Sequence, residues 1–176
     1  PEDTIAKIRS GKGLNFPDSN LEIAAITSKD IENLKFIVKH ATAVGMSFTN
    51  HPEDIQSLYK ELITLGYPDF GIIAKIETHN GVHNLGRILL TGLTVPKFGI
   101  LIARGDLAVE AGFENLSLIQ EDILCLCEAA HLPVILATQI LETLAKSGLP
   151  TRAEITDAAR GQRAESVMLN KGKYIV

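Results

Sequence analysis

One pattern limits this chain more than any other: short runs in which successive residues are apolar, each followed by a longer stretch whose apolar residues recur at helical spacing. The runs fall near 44–48, 70–76, 98–103, 133–137 and 166–170. Phe70-Gly71-Ile72-Ile73-Ala74 and Pro133-Val134-Ile135-Leu136-Ala137 show no polar alternation, which suits strands covered on both faces. Five strand–helix units in strict alternation predict an α/β fold with a parallel sheet, either a barrel or a doubly wound sheet.

The helical stretches carry start and stop signals. Thr27 or Ser28 can cap a helix bearing Ile31, Leu34, Ile37, Val38 and Ala41. Pro52 suits the first position of a helix with Ile55, Leu58, Tyr59 and Leu62 facing the core, and Gly66 stops it. Val82, Leu85, Ile88 and Leu89 form one stripe closed by Gly92, and Ile119, Ile123, Leu126 and Ala130 form another ahead of Pro133. Thr151 and Glu154 match a capping box. Residues 1–20 hold Gly11, Gly13 and Pro17 too close together for a long element and read as a loop or the tail of another domain.

Composition narrows the function classes. With 176 residues, 45% hydrophobic and 22% charged, the chain can bury a real core as one unit. A net charge of −4 with no basic run and 5% aromatics leaves no footprint for nucleic acid or an anionic membrane, so small molecules are the expected partners. Apolar runs such as Gly99 to Ala103 are far shorter than the roughly 20 residues of a membrane span, and a cytoplasmic location is the default expectation. Cys125 and Cys127 point about 200° apart on a helix, which matches neither a disulfide nor a metal pair, and they read as core or half-buried thiols. The chain lacks an initiating Met, which suggests a piece of something longer.

Chemistry concentrates at strand exits, where α/β folds bind ligands. Lys75 and Glu77 end an apolar strand two residues apart, so both side chains lie on one face. The next strand runs into Arg104-Gly105-Asp106, placing a second carboxylate beside a glycine that lets a ligand approach the backbone. Glu77 and Asp106 together offer the hard oxygen ligands with which magnesium is held, and Lys75 adds a fixed positive charge. Thr138 places a hydroxyl at the same rim, although taken alone it reads more readily as the N-cap of the next helix. His79 and His83 are four apart but lack the intervening Glu of a zinc-protease motif, and read as solvated or capping residues.

Four motifs in order, Lys75-Ile76-Glu77-Thr78-His79-Asn80-Gly81-Val82, Ala103-Arg104-Gly105-Asp106-Leu107, Ala137-Thr138-Gln139-Ile140-Leu141-Glu142 and Pro150-Thr151-Arg152-Ala153-Glu154, resemble the pyruvate kinase family. The resemblance implies a partial (βα)8 barrel, strands four to eight of that family's catalytic domain, over residues 21–176. It implies that residues 1–20, through Gly11-Lys12-Gly13-Leu14-Asn15-Phe16-Pro17, are the junction where the family's lid domain rejoins the barrel. The implied activity is phosphoryl transfer from phosphoenolpyruvate to ADP, giving pyruvate and ATP, with Mg2+ and K+ as cofactors. Lys75 would stabilise the migrating phosphoryl group and the enolate, Glu77 and Asp106 would hold magnesium, and the amides of Gly105 and Asp106 with Thr138 would bind the substrate.

Departures from the family pattern accompany the likeness. The usual Leu-Ser-Gly-Glu-Thr-Ala of the last strand is Leu169-Asn170-Lys171-Gly172-Lys173-Tyr174, which removes a serine associated with proton delivery, and Ala108 replaces a glycine. The family's first three strands, with a phosphate-binding arginine, the potassium ligands and nucleotide contacts, have no counterpart here, so the chain by itself is expected to be inactive, and to be completed by those strands or by self-association. Two other readings are a magnesium-dependent lyase or aldolase of the related phosphoenolpyruvate- and pyruvate-binding barrels, and a non-catalytic binding module.

Overall fold

The computed structural model describes residues 23–169 and 171–175. The expected junction over residues 1–20, and Asn170 of the altered last motif, lie outside the described residues. The elements run α1 (Ser28–His40), β1 (Ala43–Met46), α2 (Pro52–Thr64), β2 (Gly71–Ile76), α3 (His79–His83), α4 (Leu85–Gly92), β3 (Phe98–Ala103), α5 (Arg104–Ala111), α6 (Leu116–Ala129), β4 (Val134–Ile140), α7 (Glu142–Ser147), α8 (Arg152–Gly161) and β5 (Ser166–Leu169).

Among the described residues the five strands form one parallel sheet in the order β1-β2-β3-β4-β5. A doubly wound sheet reverses its strand order at a switch point. None occurs here, and the consecutive order is that of an arc of a (βα)8 barrel. Among the described residues β1 pairs only with β2 and β5 only with β4, so the arc keeps two edges.

Alternation along the strands sorts residues onto two faces. Ile72, Ala74 and Ile76 of β2, Ile100 and Ile102 of β3, and Val134 and Leu136 of β4 pack with Leu34, Val38, Ile55, Leu58, Leu62, Ile88 and Ile123 in the main core between sheet and helices. The opposite set, Leu101, Ala103 and Ala137 with Ile73 and Ile135, forms a separate, smaller cluster on the other face. Each large core side chain contributes about 1.5–3 kcal/mol on burial, so the helix-facing layer carries most of the stability.

Several expectations shift by a few residues. The first strand ends at Met46 rather than 48, because Phe48 adopts φ 51° and leaves the extended region. The fourth extends to Ile140, beyond the expected 137. The stripe Val82–Leu89 is split into α3 and α4 at Asn84, which caps both and whose Nδ2 donates to the Asn50 carbonyl. On α6 the buried face is Gln120, Ile123, Leu124 and Cys127, so the expected Leu126 is 45% exposed. Thr27 is the cap of α1, Pro52 opens α2, and Gly66 follows α2 with φ 86°. The capping box at Thr151 and Glu154 is formed, and hydrogen bonds, first from the Thr151 amide, hold the Glu154 carboxyl below its ordinary range. No helix among the described residues is long and apolar enough to cross a membrane.

The two cysteines separate as their spacing requires, but Cys125 is exposed rather than half-buried, whereas Cys127 is fully enclosed. Burial, and then the Glu165 charge, push the Cys127 thiol from an ordinary value near 9.0 up to about 12. At pH 8, iodoacetamide should alkylate Cys125 and spare Cys127 in the folded chain, read by mass spectrometry. Because this acid is weaker in the folded state, its share of stability is full below pH 9 and declines from there to pH 12. A Cys127→Ala variant should lose that alkaline dependence in urea titrations.

Candidate active site

β2 delivers the first pair. Outward Ala74 and Ile76 are sealed in the core, so Lys75 and Glu77 must share the other face. The Glu77 side chain is only 3% exposed, and both oxygens are engaged: Oε1 pairs with Lys75 Nζ at 2.8 Å, and Oε2 accepts the Phe48 N–H at 2.6 Å. Lys75 Nζ also donates to Ser47 Oγ at 2.8 Å. A buried carboxylate without such partners would cost several kcal/mol, so the lysine and the amide are what allow it to remain there.

The loop after β1 makes this possible. Fully buried Thr49 donates its hydroxyl to the Met46 carbonyl at 3.0 Å and its amide to the Lys75 carbonyl at 3.2 Å, which presents the Phe48 amide to Glu77. The chain after β2 closes over the loop: Thr78 caps α3, accepts the Gly81 N–H and donates to Asn50 Oδ1. At Gly81 a Cβ would sit 2.7 Å from the Thr49 carbonyl oxygen, so only glycine allows this approach.

β3 passes into α5 without a loop, so Gly105 and Asp106 lie in the first turn of a helix, where free amides and the helix dipole favour anions. Ile76 pairs with Ile102 and Ala103 with Ala137, which brings Glu77, the start of α5 and Thr138 to the same carboxyl end of the sheet. The Gly105 amide donates to Thr138 Oγ1 at 2.9 Å. The Asp106 carboxylate is half-buried and has no hydrogen bond or ion pair to the described residues. A Cβ on Gly105 would come no closer than 3.6 Å, to Thr138 Oγ1, so the packing of this chain alone does not require glycine there.

Thr138 is not the N-cap of the following helix. It lies within β4 at φ 65°, followed by Gln139 at 56° and, two residues further on, Leu141 at 48°, the residue that precedes α7. Left-handed backbone in a β-branched residue is uncommon and clusters at functional sites. The residues Ser47 and Phe48, the side chain of Arg104, and Asp157 were not anticipated. Phe48 acts through its amide and Arg104 on backbone carbonyls, Ser47 receives the Lys75 ammonium on its hydroxyl, and Asp157 is distant in sequence. Only the Arg104-Gly105-Asp106 run hinted at one of them.

The donor set fits a hard divalent cation. Two carboxylates at adjacent strand ends, one of them without a partner among the described residues, leave most of an octahedron to substrate oxygens and water, as magnesium sites do. Among the described residues no cluster of three or more His, Cys, Asp or Glu could enclose a metal unaided. His79 and His83 are both exposed on α3.

A family model described as pyruvate kinase, barrel domain, matches residues 3–174. The chain is 37% identical over 175 residues to a pyruvate kinase of Methanocaldococcus jannaschii, covering 96% of this chain and 38% of that protein. It is 38% identical over 174 residues to a pyruvate kinase of Thermococcus litoralis, covering 95% and 35%, and 37% identical over 175 residues to one of Debaryomyces hansenii, covering 96% and 34%. The chain thus spans little more than a third of the curated relatives it matches.

Replacing Lys75 by Met leaves the Glu77 carboxylate buried without its cation. Urea denaturation should show a loss of about 1–3 kcal/mol, below that of a fully buried pair because the lysine is partly solvated. The double variant Lys75→Met/Glu77→Gln should recover part of the loss, and strictly additive losses would rule out the coupling.

Proposed function

Because this chain belongs to the pyruvate kinase family and matches its barrel domain, we propose that it contributes the phosphoenolpyruvate- and metal-binding rim of an enzyme that transfers a phosphoryl group from phosphoenolpyruvate to ADP. The observation that carries the reading is the convergence of Lys75, Glu77, the first turn of α5 and Thr138 at one end of three adjacent strands. In that transfer the phosphorus–oxygen bond to the enol oxygen breaks as one to a terminal ADP oxygen forms, and the enolate left behind takes up a proton to become pyruvate. Such reactions ask a protein for positioning and charge stabilisation rather than covalent chemistry.

Lys75, held by Glu77 and Ser47, keeps its ammonium where charge moves from the phosphoryl group to the enolate. Glu77 and Asp106 are the residues that would hold magnesium, whose role when bound is to neutralise phosphate and carboxylate charge. The amides of Gly105 and Asp106 and the hydroxyl of Thr138 receive the substrate carboxylate, with the Gly105 amide exchanging its internal acceptor for the ligand. Among the described residues the only atoms near a Cβ position at Gly105 are those of Thr138, at 3.6 Å and beyond, which supports this placement.

The rest of the site is assigned to polypeptide beyond this arc: a phosphate-binding arginine, potassium ligands, nucleotide contacts and a proton donor. The two sheet edges support completion by further strands or by another copy of the chain, in a cytoplasmic enzyme. Residues 1–20 are read as the lid-domain junction and 21–176 as barrel.

Calorimetry tests this reading. The chain should bind phosphoenolpyruvate weakly and only with magnesium. Glu77→Gln and Asp106→Asn should each weaken binding by about tenfold or more, while Glu142→Gln, on α7, leaves it unchanged. Equal losses from all three variants would overturn the assignment. A coupled assay with ADP should detect no pyruvate from the chain alone, and robust turnover would remove the need for completion.

A further inference from the structure

The α5 helix begins with a buried cation, at the end of the helix where cations are disfavoured. The Arg104 side chain is 9% exposed, and each of its three nitrogens donates to a neighbouring group. Nε donates to the Ala137 carbonyl at 3.3 Å and Nη2 to the Thr138 carbonyl at 2.7 Å, while Nη1 reaches Gln120 Oε1 at 3.4 Å on α6 and the Asp157 carboxylate on α8. The two carbonyls belong to the peptide planes on either side of the Thr138 Cα. One planar, rigid guanidinium therefore holds both planes, and their relative orientation is the φ and ψ of Thr138. That residue sits at φ 65°, a conformation that persists only when its surroundings over-determine it. Its hydroxyl, so aimed, accepts the Gly105 N–H.

We propose that Arg104, anchored by Asp157, is the positioning residue that fixes Thr138 in its left-handed conformation and so aligns the Thr138 hydroxyl and the Gly105 amide for the substrate carboxylate. The link to substrate rests on the reading of the previous subsection. Arg104 itself has no part in that contact, because its donors are spent on backbone, Gln120 and Asp157. A lysine at 104 carries the charge but cannot span two carbonyls with one compact ammonium. Asp157 supplies the countercharge that a guanidinium at a helix start needs.

Two measurements on the full chain decide the matter: amide exchange at Gly105 by NMR, and magnesium-dependent phosphoenolpyruvate binding. Arg104→Lys and Asp157→Ala should each speed Gly105 exchange and weaken binding by about tenfold. Thr151→Ala, which removes the cap of the same α8 helix, should lower overall stability and leave both readouts at wild-type values. Asp157→Ala combined with Thr138→Ala should bind no more weakly than Thr138→Ala alone, because the first acts through the second. If Arg104→Lys does not fold, Asp157→Ala and the milder Asp157→Asn carry the test. Unchanged exchange in the Asp157 variants, losses shared equally by Thr151→Ala, or additive losses in the double variant each overturn the proposal. If the wild-type chain binds no phosphoenolpyruvate, the substrate assignment falls by itself, and the exchange measurement still judges whether Arg104 holds Thr138.

Discussion

The packing of alternate strand residues against the helical layer governs everything else in this molecule. Ile72, Ala74, Ile76, Ile100, Ile102 and Leu136 are excluded from water between sheet and helices, and a parallel strand cannot rotate without exposing such a set. Their neighbours are thereby committed to the opposite face. Lys75 and Glu77 are consequently not free to avoid one another: the hydrophobic side of β2 dictates that an ammonium and a carboxylate share a small space. The ion pair is a by-product of apolar burial, and the proposed chemistry makes use of it.

Polar satisfaction then works outward from that pair. Glu77 needs two partners and finds one in its own strand and one in a backbone amide from the loop after β1. That amide is available because Phe48 turns into positive φ, and Thr49 pins the turn. At the other side of the rim, Thr138 bends the same way and Arg104 pins it. Both walls of the site follow one scheme, in which a non-glycine residue in left-handed backbone is held by hydrogen bonds from a buried neighbour.

The architecture and the charged centre were legible from residue order, because apolar runs and strand-end charges are local patterns. Five strands, their parallel sense and the shared face of Lys75 and Glu77 follow from apolar runs and periods of two and 3.6, and the caps at Thr27, Pro52 and Thr151 from local start signals. The supporting shell was not legible. Arg104 meets Asp157 across 53 positions and Phe48 meets Glu77 across 29, and neither separation leaves a periodic trace. The split of one apolar stripe at Asn84 was hidden for the same reason, since its side chain answers to Asn50. Leu126 failed because a stripe stepped at four and three residues misjudged which side of α6 meets the sheet, whereas Gln120 is buried and bonds Arg104. Thr138 failed as a cap because strand-end propensity says nothing of a backbone forced into a left-handed bend.

Gly81 bears on how this site can diverge. The closeness of its Cα to the Thr49 carbonyl ties the spacing between α3 and the loop after β1 to the absence of a single carbon atom. Any side chain at 81 would push on the segment that offers Phe48 to Glu77, although the Gly81 amide itself bonds Thr78. Drift at this position is therefore coupled to the charged centre through backbone geometry alone. A lineage could repaint the exposed faces of α3 and α4 freely, yet would have to rebuild the loop from 47 to 50 before it could place a larger residue at 81.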